Sequence, residues 1–215
     1  ELLVYLEKEL VDSHYDLRRI FRLILTSQAY RQSPIPRCPS PDAAALFACY
    51  PVRRLDAEVL MDALTWIGGT GEGYSSAVPE PFTFIPTSQR AISLADGSIT
   101  SPFLEMFGRP SRDTGLESER ITEPSDGQRL HMLNSSDVYR RIERSERLRG
   151  QYMAAKWNRA ETVRRIYLTL LSRYPTPEEE AVARKYVEAP GANLKQASDD
   201  LAWALVNSKE FLYRH

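Results

Sequence analysis

Cysteine is nearly absent from this chain: 215 residues hold two, Cys38 and Cys49. Ten residues separate them. They read either as unrelated thiols or, in an oxidising compartment, as a disulfide closing a proline-rich loop, and the sequence leaves both open. No Cys/His spacing resembles a zinc site. Net charge is nearly absent too, at −1, so no basic field invites nucleic acid or an anionic membrane surface. No apolar run approaches the ~20 residues of a membrane span. A Gly-x-Ser-x-Gly elbow is missing, which removes support for Ser/His/Asp catalysis of that kind. No glycine-rich phosphate loop stands between a strand and a helix.

What is present is an ordinary globular mixture, 42% hydrophobic and 27% charged. A chain of this length can bury roughly 70% of its unfolded surface and needs no metal or disulfide staple. It opens on Glu1 inside an amphipathic pattern of Leu2, Leu3, Leu6 and Leu10, with no cap before it. The expectation is therefore a C-terminal fragment of a larger protein, in which a missing signal peptide says nothing about compartment.

The fold expectation is mainly α: a single irregular multi-helix domain over 1–215, with at most a small hairpin. Its parts are 1–67 helical, 68–124 irregular and 125–215 helical. Leu17, Ile20, Phe21, Ile24 and Leu25 lie at helical spacing behind Asp16 as cap. "SPIPRCPSP" breaks the chain, and "DAAALFACY" reads as a short helix. "RRLDAEVLMDALTWIGG" carries an apolar stripe at Leu60, Ala63, Leu64 and Ile67, and Gly68-Gly69 stops it. The stretch 68–124 holds most of the ten glycines and few periodic segments. "RAISLAD" reads there as a short strand and "SPFLEMFG" as one or two helical turns. Structureless runs of this length are often functional. Beyond it, Ser125 with Gln128, Thr176 with Glu179 and Asn193 with Gln196 have the form of capping boxes, and Pro177 suits a first helical turn. "SSDVYRRIERSERLRGQYMAAKW" reads as a charged helix or a helix pair broken near Gly150.

The charged stretch "FGRPSRDTGLESERITEPSDGQRLHMLN", 107–134, is the candidate site. Arg109 and Arg112, three apart, can present two guanidinium forks to a carboxylate, phosphate or sulfate, with Asp113 and Arg120 beside them. Glu117 and Glu119 alternate, so in an extended stretch they share a face, and two nearby carboxylates are what a glycosidase needs, one as acid and one as base or nucleophile. His131 shares a helix face with Gln128 and could act as acid, base or ligand. The simpler reading is a salt-bridge lattice holding the loop to the helices, with His131 partly buried and satisfied. Weaker candidates follow the same logic. Glu58 and Asp62 are spaced for a metal, but Arg54, four before Glu58, explains it as an ordinary ion pair. Arg140, Arg141, Arg144, Arg147 and Arg149 read as a solvated face with Glu143 and Glu146 interspersed. Trp66, Trp157 and Trp203 could stack on sugars, though Trp66 and Trp203 fall in apolar stripes and read as core.

Four ordered stretches, "DLRRIFRLILTSQAYRQS", "RRLDAEVLMDAL", "RAISLADGSITSPFLEMFGRPSRDTGLESER…P…QRLHMLN" and "RIYLTLLSRYPTPEE…NSKEFLYRH", together resemble the planctomycete secreted-domain family, domain of unknown function 1553. The chain matches about its C-terminal two-thirds. The resemblance implies an extracytoplasmic (periplasmic or secreted), multidomain bacterial protein, often with a cytochrome c-like domain, and names no reaction. Many members carry Cys-x-Cys before Glu-Arg. Here Leu116 and Ser118 take those positions while Glu119-Arg120 remains, which speaks against redox or metal chemistry.

The reading is a non-catalytic structural or interaction domain whose partners are neighbouring domains of the same polypeptide. No metal or cofactor is expected in this chain; any haem would sit on a neighbouring domain. No nucleic-acid partner and no membrane span are expected. The alternative is a carbohydrate- or anion-binding, or hydrolytic, site centred on Arg109–His131.

Overall fold

The computed structural model describes the chain except residues 36–39, 41, 43–44, 51, 77–84, 87, 95–98, 111–118, 122, 157, 190–192 and 215. The described residues are mainly helical, as the periodicities require, with eleven α-helices, one 3-10 turn and one two-strand sheet. Their contacts fall into two compact units, 1–53 and 54–214.

In the first unit α1 (Leu2–Asp12) turns into α2 (Leu17–Leu25) through His14 and Tyr15, both left-handed at φ 57 and 64. Asp16 caps α2 by accepting from the Arg18 and Arg19 amides, as its position predicts. Neither helix buries a side chain: Leu17 and Phe21 stay 61% and 64% exposed. "DAAALFACY" is not a helix in its described residues, which form turns, with Phe47 left-handed at φ 51.

The second unit is built around α3 (Ala57–Gly68), whose Leu60, Met61, Leu64 and Ile67 are all buried. Gly69 ends it in the left-handed conformation, φ 73. Next come a 3-10 turn (Ala91–Ser93), α4 (Pro102–Met106), α5 (Asp126–Asn134), α6 (Ser136–Glu143) and α7 (Glu146–Ala154). Then α8 (Arg159–Leu171), α9 (Pro177–Val187), α10 (Leu194–Val206) and α11 (Lys209–Leu212) complete the bundle. Strand β1 (Arg53–Arg54) pairs with β2 (Tyr213–Arg214), and the Leu55 amide donates to Leu212 O at 2.9 Å.

Three local expectations are corrected. "RAISLAD" contains a 3-10 turn, not a strand, because Asp62 accepts the amides of Ala91 and Ile92 at 2.7 and 3.3 Å and so caps a helical turn. The break in the arginine-rich segment falls at Arg144-Ser145, not at Gly150, which lies inside α7. Ser145 accepts from the Leu148 amide and donates to Ile67 O, so it starts α7 and ties it to α3. The boxes at Ser125 and Thr176 are both complete. At Asn193 only half forms, since the Gln196 side chain turns to Tyr139 and Asp200.

Candidate functional site

The site is the base of the loop after α4. Phe107 stacks on Phe103, with centroids 4.3 Å apart, and sets the direction in which the chain leaves the helix. Gly108 follows at φ 94. A Cβ there would collide with the Ile121 carbonyl, and the Ile121 amide donates to Gly108 O at 3.1 Å. Entry and exit of the loop are thus pinched together, and only glycine permits the approach.

Pinching delivers two arginines to one carboxylate. Arg120 donates both terminal nitrogens to Glu58 of α3, at 2.8 and 2.7 Å. Arg109 brings Nε to 3.3 Å from Glu58 Oε1 and donates Nη1 to Ile99 O at 3.0 Å. The three side chains are 7% (Arg109), 23% (Arg120) and 5% (Glu58) exposed, so the pair energies are little screened. Burial pushes the Glu58 carboxyl up, but the Arg120 hydrogen bonds and the two positive charges outweigh it and hold it below the ordinary range. Glu58 also sits in the first turn of α3, where the helix dipole favours a negative charge.

A third arginine seals the same base. Arg54 donates to Gln128 Oε1, to Phe107 O at 2.7 Å and to Ile121 O at 3.0 Å. Burial lowers its pKa, although Tyr213 and Asp56 oppose this. Gln128 accepts from the Ser125 amide and donates to Met106 O at 2.8 Å, so the capping box of α5 is also a strap onto α4.

The expected i,i+4 pair of Arg54 with Glu58 is therefore corrected: Arg54 binds the loop backbone, and Glu58 takes the loop's own arginines. Glu58 and Asp62 do not converge on a metal, since Asp62 caps the 3-10 turn and accepts from Arg90 Nε. His131 packs edge-on against Phe103 and Phe107, at 5.6 and 5.9 Å. Burial lowers its pKa, against a smaller opposing pull from Asp137. Glu119 lies beside Arg120 at the loop exit, and none of Arg109, Glu119 and Arg120 lacks a partner. Arg112, Asp113, Leu116, Glu117 and Ser118 lie outside the described residues, as do Cys38 and Trp157.

The remaining candidates also move. Arg141 is not on a solvated face: it is 6% exposed and binds Asp137, Glu72 and Thr70 O. Arg147 stacks 3.8 Å from the Trp66 ring centre, and Trp66 is 48% exposed rather than core. Trp203 is half-buried on α10. No helix among the described residues is long and apolar enough to cross a membrane.

The sequence shows the loop arginines but not that Glu58 is their shared partner, nor that Arg54 and Gln128 tie down the loop base. The available signal is Glu58 lying four residues before Asp62 on a helix whose other face is apolar. Against known proteins, the family model described as a protein of unknown function (DUF1553) matches residues 1–187. No curated protein and no solved structure matches.

Proposed function

The chain belongs to the family of proteins of unknown function DUF1553, and we propose that it serves as a non-catalytic structural and interaction domain of an exported bacterial multidomain protein, docking against neighbouring domains of the same polypeptide. One observation carries the non-catalytic part: Arg109 and Arg120 converge on a single buried carboxylate, Glu58, which both of them engage. Guanidinium groups held in this way brace a loop. An anion or sugar would have to displace Glu58 and leave a buried charge without its partners. Export, a planctomycete origin and a cytochrome c-like neighbour that would carry any haem come into this reading from the family resemblance alone.

The competing reading, a carbohydrate- or anion-binding site at Arg109–His131, makes a different thermal signature. Under the structural reading Arg120→Ala removes half of a buried pair and costs about 3 kcal/mol, or roughly 6–12 °C in a chain of this size. Arg120→Lys loses the bidentate fork and recovers only part of that. A ligand-binding arginine would instead leave the melt within about a degree of wild type, and sulfate or a sugar would then raise the melting temperature of wild type but not of Arg120→Ala.

A further inference from the structure

The groove between α9 and α10 is the strongest remaining feature of the second unit. It measures about 780 Å³, with the Tyr167 ring of α8 as its floor. Val182 and Tyr186 of α9 and Leu201 and Trp203 of α10 form apolar walls. Val182 is 71% and Tyr186 52% exposed, although both lie on a helix whose Ala183 and Val187 are buried. An apolar stripe next to a packed one is what a partner's side chains cover.

The charged groups that line this groove are all acidic: Glu178, Glu179 and Asp200. Their charge is cancelled only in part, by Arg173, whose guanidinium also lies 5.6 Å from the Tyr167 ring centre. Arg173 is a single cation clasped by two carboxylates, Glu179 and Glu210, which leaves that group negative. Asp200 accepts from the Tyr186 hydroxyl at 2.8 Å and from the Gln196 amide at 2.9 Å, both neutral donors. The first of these bonds ties Tyr186 of α9 to Asp200 of α10. Glu178 stands exposed at the groove's other end, in the first turn of α9.

We propose that this groove is a docking site for a basic amphipathic helix of a protein partner. Glu178 to Tyr186 spans about 12 Å along α9, enough for two turns of a partner helix to set apolar residues at i and i+4 between the walls. Lysine or arginine flanking those anchors would meet Glu178 at one end and Asp200 at the other. The same carboxylates repel phosphate-bearing ligands and acidic helices. The proposal rests on the reading of the chain as an interaction domain and names the surface and the chemistry of its partner.

The test uses the full chain and a dye-labelled leucine–lysine amphipathic peptide about four turns long, followed by fluorescence anisotropy. A leucine–glutamate peptide of the same pattern is the control. Binding of the lysine peptide alone is expected, weakening several-fold as salt rises from about 0.02 M to 0.2 M. Tyr186→Ala and Val182→Ser should each weaken it about tenfold, and Glu178→Lys should weaken it more at low salt than at high. These side chains are exposed, and unchanged melts confirm that the variants fold. Equal binding of both peptides, no binding, or binding indifferent to all three variants overturns the proposal. So does self-association of the free chain that Tyr186→Ala abolishes, which would assign the groove to a second copy. None of these failures touches the Arg120 melt, which tests the broader reading by itself.

Discussion

Glu58 is a carboxylate taken out of water, and a buried charge is tolerated only where the charges around it and its hydrogen bonds replace hydration. Arg120 supplies two parallel bonds and Arg109 a second positive charge, and the chain can bring both only because Gly108 lets the loop cross over Ile121. Gly108→Ala should therefore cost about 2 kcal/mol or more, combining the left-handed backbone with the collision at Ile121 O. A denaturant melt measures it, and a loss below about 0.5 kcal/mol would mean that the loop base is not closed. From the sequence, the arginines and the glycine were visible as residue types. Their shared partner was not, because 62 positions separate Glu58 from Arg120 and no local pattern encodes that meeting. His131 illustrates the reverse: its helical spacing suggests chemistry, and the stacked Phe103 and Phe107 that it packs against are brought to it only by the fold.

Among the elements, helix starts were the most legible feature, because a cap is a local hydrogen bond between residues two or three apart. Asp16, Ser125 and Thr176 all act as their positions imply. Breaks were harder. Gly150 looked like an interruption, yet glycine costs only about 1 kcal/mol inside a helix, and packing of Leu148 and Tyr152 into the core outweighs it. Ser145 does the breaking, through the Leu148 amide on one side and Ile67 O on the other. Ser145→Ala is expected to destabilise by about 1–2 kcal/mol, while Gly150→Ala should stabilise slightly. Equal effects of the two substitutions on the urea midpoint would contradict this division. "RAISLAD" failed for a tertiary reason, since the carboxylate that makes it helical belongs to α3.

Across the molecule the ion pairs set an acid limit. Glu179 is depressed to about 2 by its Arg173 hydrogen bonds, against an opposing effect of burial; Glu58 is lowered as described. Each is bound more weakly by protons folded than unfolded, so its stabilisation is full above the ordinary value of 4.5 and is lost as pH falls toward the folded one. His131, lowered by burial, has the same sign at a higher window: protonation below its ordinary 6.5 favours the unfolded chain. Asp199 has the opposite sign, raised by burial despite Lys195 and Tyr152. The urea midpoint should therefore drop from neutral pH to below 6.5 and again, more steeply, below 4.5. His131→Phe should flatten the first step and Glu179→Gln should weaken the second; a midpoint level from pH 4.5 down to 2 would count against both pairs. The central claim is that the loop arginines exist to hold Glu58, and a double-mutant cycle of Glu58→Ala with Arg120→Ala, read as unfolding free energies, tests it most directly. The account predicts strong coupling, the double variant being at least about 2 kcal/mol less destabilised than the sum of the singles, and additivity within about 0.5 kcal/mol would contradict it.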